Sequence, residues 1–104
     1  MLKLIIDTSN SKETIVGLSF DNDSDIRTVL VPKQGAQLVL PLIDNLLKEH
    51  KKKLTDITAV VINSGPGSFT GIRVGLSIAN TIATLCEVPV NDRKPGEPER
   101  AVYK

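Results

Sequence analysis

Cysteine occurs once in the 104 residues, at Cys86, so no internal disulfide can form and a cysteine-rich zinc site is excluded. Tryptophan is absent, and the aromatic residues are Phe20, Phe69 and Tyr103. These are too few for the stacking platforms on which single-strand nucleic-acid binders hold bases, and the core must be built from Ile, Leu, Val and Ala. No apolar run reaches the roughly 18 residues of a membrane-spanning helix, and the start lacks the basic region, apolar stretch and cleavage site of a secretory signal. Charge of one sign is not in excess either. Thirteen Lys and Arg against 12 Asp and Glu leave +1, far from the lopsided charge of a chain that grips phosphates alone. A soluble, cytoplasmic protein without membrane contact is expected.

With 40% apolar and 24% charged residues, the chain reads as one small domain. A chain of this size buries only about two thirds of its unfolded surface, so stabilising help from a partner would be natural. Leu2 to Ile6 reads as a buried strand that stops at the turn-forming Asp7-Thr8-Ser9-Asn10-Ser11. Thr14 to Phe20 and Ile26 to Val31 follow as strands, separated by the wholly polar Asp21-Asn22-Asp23-Ser24-Asp25, and together the three predict an antiparallel meander. From about Gly35 to His50 the apolar spacing becomes helical through Leu38, Val39, Leu42, Ile43, Leu46 and Leu47, with Pro41 requiring either a start or a bend nearby. Lys51-Lys52-Lys53 then places cations at the helix's negative pole, where a solvated helix end and a phosphate patch are the two readings.

Ala59-Val60-Val61-Ile62 predicts a central strand, and a second helix runs from about Thr70 to Cys86. Val88-Pro89-Val90 predicts a short last strand whose proline places it at an edge. Residues 91–104, rich in charge and proline, predict a flexible tail after a domain of residues 1–90. Three strands, helix, strand, helix and short strand make an α/β fold: a mixed five-stranded sheet with two main helices, the fourth strand parallel to the first. That order is the half-domain shared by RNase H-like and actin-like ATPase folds.

The segment with most chemical content is the loop between the fourth strand and the second helix, Gly65, Pro66, Gly67, Ser68, Phe69, Thr70, Gly71 and, two residues later, Arg73. Two readings stand: a tight structural turn with Ser68 or Thr70 capping the helix, or an anion site at the helix start. It is not a Walker A loop, because no Gly-Lys-Ser or Gly-Lys-Thr occurs. Asp7 reads as a turn-capping residue. A two-metal nuclease would need converging carboxylates, but the fourth strand ends in Asn63 and Ser64. His50 lacks an identifiable nucleophile and acid around it, and Cys86 reads as packing. No catalytic residue, metal or cofactor is therefore assigned. The second helix carries two apolar stripes, Ile72, Leu76, Ala79, Ala83, Cys86 and Val74, Ile78, Ile82, Leu85, and so needs two coverings. Gly71, Gly75, Ala79 and Ala83 suggest a shallow track along which another helix could approach.

The Gly65 to Arg73 segment, with Asp7-Thr8-Ser9 and Leu40-Pro41-Leu42-Ile43, resembles the motifs of the glycoprotease-like TsaB family over about Leu2 to Val90. This resemblance is to the amino-terminal half only, since family members carry a second domain of similar size. It implies a non-catalytic scaffold or activating partner of the catalytic subunit TsaD in tRNA threonylcarbamoyladenosine modification. The two helices would form either a homodimer or a heterodimer with TsaD, and tRNA would be met only indirectly. The residues expected at that interface are Leu42, Leu46, Ile72, Val74, Ile78 and Ile82. Gly35-Ala36 stands where the family often has His followed by Ser or Thr. The competing readings are a small ATPase or peptidase-like hydrolase, and a degenerate copy that only self-associates.

Overall fold

Alternation of apolar and polar side chains drives the first half of the chain into a meander of β1 (Lys3–Asp7), β2 (Glu13–Ser19) and β3 (Ser24–Leu30). The computed structural model describes residues 1–10, 12–30, 36–91 and 99–100. Next come α1 (Ala36–Glu49), a single 3-10 turn at Leu54–Asp56, β4 (Ala59–Ile62) and α2 (Phe69–Cys86). The sheet runs β3-β2-β1-β4, antiparallel except that β4 lies parallel to β1.

Register fixes the faces. Leu4 lies beside Leu18 and Val60, and Ile6 beside Val16 and Ile62. These six are buried in one cluster with Val39, Ile43, Leu46 and Leu47 of α1 and Ile72, Leu76, Ala79, Ile82 and Ala83 of α2. Both helices therefore cover the same side of the sheet. On the opposite side Ile26, Leu30 and Val61 are exposed, and Ile5 and Ile15 are half-buried.

Two expectations need correction, the start of β3 and the number of strands. β3 begins two residues before Ile26, because the Phe20 amide closes the turn onto the Asp23 carbonyl at 2.7 Å and frees Ser24 and Asp25 to pair with Ser19 and Leu18. α1 has the extent its apolar spacing predicts and runs through Pro41, whose ring lies on the exposed side and whose missing N–H removes a single bond.

The sheet has four strands, not five. Glu87 ends α2 in the left-handed region (φ 57°), Pro89 has no N–H, and Asn91 turns left-handed again (φ 53°). Between Pro89 and Asn91, Val90 forms a single parallel bridge to Val60. Even so, the outer edge of β4 is closed. Val60 donates to the Pro89 carbonyl and accepts from the Asn91 amide, while the Asn91 side chain pairs with both the N–H (2.9 Å) and the carbonyl (3.1 Å) of Ile62. The tail expected over 91–104 lies largely outside the described residues. Within it, the Glu99 backbone pairs at both its N–H and its carbonyl with the Asn80 side chain.

Leu46 is fully buried and Leu85 is 71% exposed. Leu46→Ala should cost about 2–5 kcal/mol in a urea unfolding experiment, whereas Leu85→Ala should change stability by about 0.5 kcal/mol or less.

Candidate functional site

Because β1 and β4 are parallel neighbours, the loops that follow them leave from the same end of the sheet. The Asn63 amide extends the ladder by donating to the Ile6 carbonyl at 3.2 Å. Beyond it, Asp7 organises both loops. One carboxylate oxygen accepts from the Ser9 N–H (3.0 Å) and the Ser9 hydroxyl (2.6 Å), and the other accepts from the Asn63 side-chain amide at 3.2 Å. Asn63 in turn accepts from the Gly65 N–H at 3.0 Å. Partial burial alone would raise the Asp7 pKa, but the donors from Ser9 and Asn63 outweigh it and hold the carboxylate below its ordinary range.

The start of α2 is pressed against this assembly. The Ser68 N–H donates to the Ser9 carbonyl (2.6 Å), the Ser68 hydroxyl caps the helix by accepting from Gly71 N–H (3.3 Å), and the Thr8 hydroxyl donates to the Gly71 carbonyl (2.5 Å). Glycine is required here by space. A Cβ on Gly67 would stand 2.6 Å from the Ser9 carbonyl oxygen, one on Gly71 would collide with the Thr8 carbonyl, and one on Gly75 would collide with the Thr8 hydroxyl and reach 2.9 Å from Ile62 Cδ1. Gly65 holds φ at 117°, a value open to glycine, before a cis bond to Pro66.

The glycine signature thus seats α2 on the β1 loop. Gly71, Gly75, Ala79 and Ala83 do not form an outward track for a neighbouring helix, since the first two face Thr8 and the last two are buried in the core. Of the turn and anion readings, the geometry favours the turn, because the Ser9 carbonyl and the Ser68 hydroxyl already take N–H groups of the helix start. Thr70 and Arg73 are exposed on α2. Among the described residues, no group of three His, Cys, Asp or Glu is placed to hold a metal ion.

His50 is tied down rather than free at its helix end. It meets Asp25 at 2.8 Å and tilts against the Phe20 ring, while Arg27 joins Asp25 to Glu49. The Cys86 thiol points to the Leu54 carbonyl at 3.5 Å, and burial pushes its pKa up, away from the thiolate a nucleophile needs.

The helix faces divide the expected interface set. Leu46 and Ile72 are fully buried and serve the chain's own core, and Ile82, 4% exposed, belongs to that core and also lines a groove along α1. Leu42 shares its side of α1 with Glu49, seven residues on, which pairs with Arg27 of β3, so it is turned away from α2. Val74 remains half-buried on the outer side of α2, continued by exposed Leu85, while Ile78 is half-buried and packs against the core's margin. The groove, of about 510 Å³, runs along α1 and the segment after it and meets α2 at Ile82; its apolar lining is Leu40, Ile43, Leu47, Leu54 and Ile82. Leu40, 56% exposed on this seam, was not expected at an interface. Its spacing to Ile43 and Leu47 is the signal that could have found it.

Gly75→Ala should destabilise the fold by about 1–3 kcal/mol in chemical unfolding, because the extra methyl has no room. Asp7 titrates lower when folded, so its contribution is present above the unfolded pKa and disappears as the pH falls through the lower folded value. The stability gap between wild type and Asp7→Asn should therefore be widest near neutral pH and close below about pH 4.

The family model described as TsaD, tRNA N6-adenosine threonylcarbamoyltransferase, matches residues 29–92. The tRNA threonylcarbamoyladenosine biosynthesis protein TsaB of Escherichia coli (strain K12) is 37% identical over 87 residues, which are 84% of this chain and 37% of that protein. The TsaB protein of Bacillus subtilis (strain 168) is 31% identical over 91 residues, 88% of this chain and 40% of its own length. The solved structure of YeaZ from Pseudomonas aeruginosa superposes with a TM-score of 0.82 at 28% identity, covering 89% of this chain and 43% of that one. The chain belongs to this family and, within it, to the TsaB proteins, matching their amino-terminal region and spanning 37–40% of the length of the two relatives compared.

Proposed function

We propose that this chain acts in tRNA threonylcarbamoyladenosine biosynthesis in the cytoplasm, as a non-catalytic scaffold that docks through α1 and α2 onto a TsaD-type catalytic subunit. The observation that carries this reading is the outer surface of α2. Between Phe69 and Cys86 the helix has one charged residue, Arg73, near its start, and its other exposed positions are Thr70, Ser77, Thr81, Thr84 and Leu85, with Val74 half-buried among them. A helix facing only water ordinarily carries charge on that side, whereas interface centres are depleted of it. Leu85, 71% exposed, stands on this side of α2, and Leu40, 56% exposed in the lining of the groove, adds apolar surface on α1.

The site at the ends of β1 and β4 supports a positioning role. Asp7 is occupied by donors from its own loops, and its network holds α2 at a fixed angle to the sheet, which in turn orients the docking face. A balanced net charge of +1 suits indirect contact with tRNA. When the catalytic subunit is absent, the same face is the one that would join two copies of the chain.

Co-purification with the TsaD-type subunit of the same cell tests the proposal. Leu85→Glu and Leu40→Glu should each leave the fold intact and weaken the complex by about 30-fold or more in a titration. A folded wild-type chain that forms no complex at micromolar concentration would overturn it.

A further inference from the structure

Resting on that docking reading, we infer that the α1–α2 groove is charged to accept a helix from an acidic partner in preference to a second copy of this chain. The apolar floor formed by Leu40, Ile43, Leu47, Leu54 and Ile82 ends against Lys48, Lys52 and Lys53, which line the same groove. Lys48 is neutralised locally by Asp44 at 2.9 Å. Lys52 and Lys53 are exposed and have no ion pair among the described residues. Their position follows from the chain reversal after α1, where Lys51 takes a left-handed conformation (φ 56°) and the Lys52 N–H returns to the Leu47 carbonyl at 2.8 Å.

The cations therefore stand at one end of an apolar trough. An occupant whose apolar stripe fills the trough brings its flanking residues beside them, and carboxylates there gain two attractions.

A second copy supplies few such carboxylates. Its α2 contains no acidic residue. On its α1, Asp44 is paired with Lys48, and Glu49 is paired with Arg27. Asp56 is turned back to accept the Lys53 backbone N–H at 2.8 Å. Glu87, exposed just beyond α2, is the exception among the described residues near these helix ends. Self-pairing would cover the apolar surface but leave the lysines largely uncompensated, whereas an acidic helix satisfies both, and like charges brought together select against the wrong partner.

The test titrates the full chain with the purified TsaD-type subunit in dilute and in raised salt, using wild type, the double variant Lys52→Glu/Lys53→Glu, and Leu85→Glu, with the fold of each checked by unfolding. Charge reversal should weaken binding about tenfold, and raised salt should weaken the wild type but not the reversed variant. Sedimentation of the wild-type chain alone should show self-association weaker than binding to the subunit. Unchanged affinity on charge reversal, together with loss on Leu85→Glu, would overturn the charge selection and leave the docking reading standing. Self-association as tight as subunit binding would likewise overturn the selection. Binding unaffected by Leu85→Glu, or absent altogether, would overturn both.

Discussion

The close approach of the α2 backbone to the loop after β1 is the contact on which the rest of the structure depends. Gly67, Gly71 and Gly75 lie at four-residue spacing, and each is placed so that a methyl group would strike Thr8 or Ser9. The gap is closed by hydrogen bonds in both directions, from Ser68 to Ser9 and from Thr8 to Gly71. Neither segment satisfies these groups alone, so the loop and the helix fix each other. Asp7 holds the loop through Ser9 and reaches the end of β4 through Asn63, which ties β1, its loop and the segment after β4 to one carboxylate.

Once α2 is seated in this way, its rotation is no longer free. Ile72, Leu76, Ala79 and Ala83 point into the core, Ile78 packs against its margin, and Val74 and Leu85 lie on the far side. α1 is positioned separately, by Val39, Ile43 and Leu46 over the sheet and by the Asp25, Arg27, Glu49 and His50 cluster at its end. The two helices touch over only a short stretch, and a groove is left beside that contact. The docking surface is thus a consequence of how each helix is anchored to the sheet. The small residues that suggested close helix contact are consumed in bringing α2 onto β1 and β4.

Edge protection follows the same economy. β4 borders the sheet, and an unpaired edge would offer N–H and carbonyl groups to any extended chain. One bridge from Val90 and the amide of Asn91 are enough to occupy the outward groups of Val60 and Ile62. The Asn91 side chain substitutes for the main chain of a strand that its own left-handed backbone does not continue. A local pattern of apolar residues cannot reveal this, because the substitution relies on a polar side chain reaching a strand 29 residues away.

Periodicity determined the meander, both helices, the parallel fourth strand and the aliphatic core, because these depend on side-chain spacing within a few residues. The glycine-rich motif was equally visible, and the Ser68 cap could be read from local chemistry. Tertiary structure decided which side of each helix is spent on the sheet, and so separated Leu46, Ile72 and Ile82 in the core from Leu40 and Leu85 at the surface. It also decided that Gly71 and Gly75 face inward. The physical reason is that a helix with apolar residues on two sides has two equivalent ways to lie until a long-range contact chooses one, and here the choice rests on Thr8, 63 residues from the Gly71 carbonyl it binds.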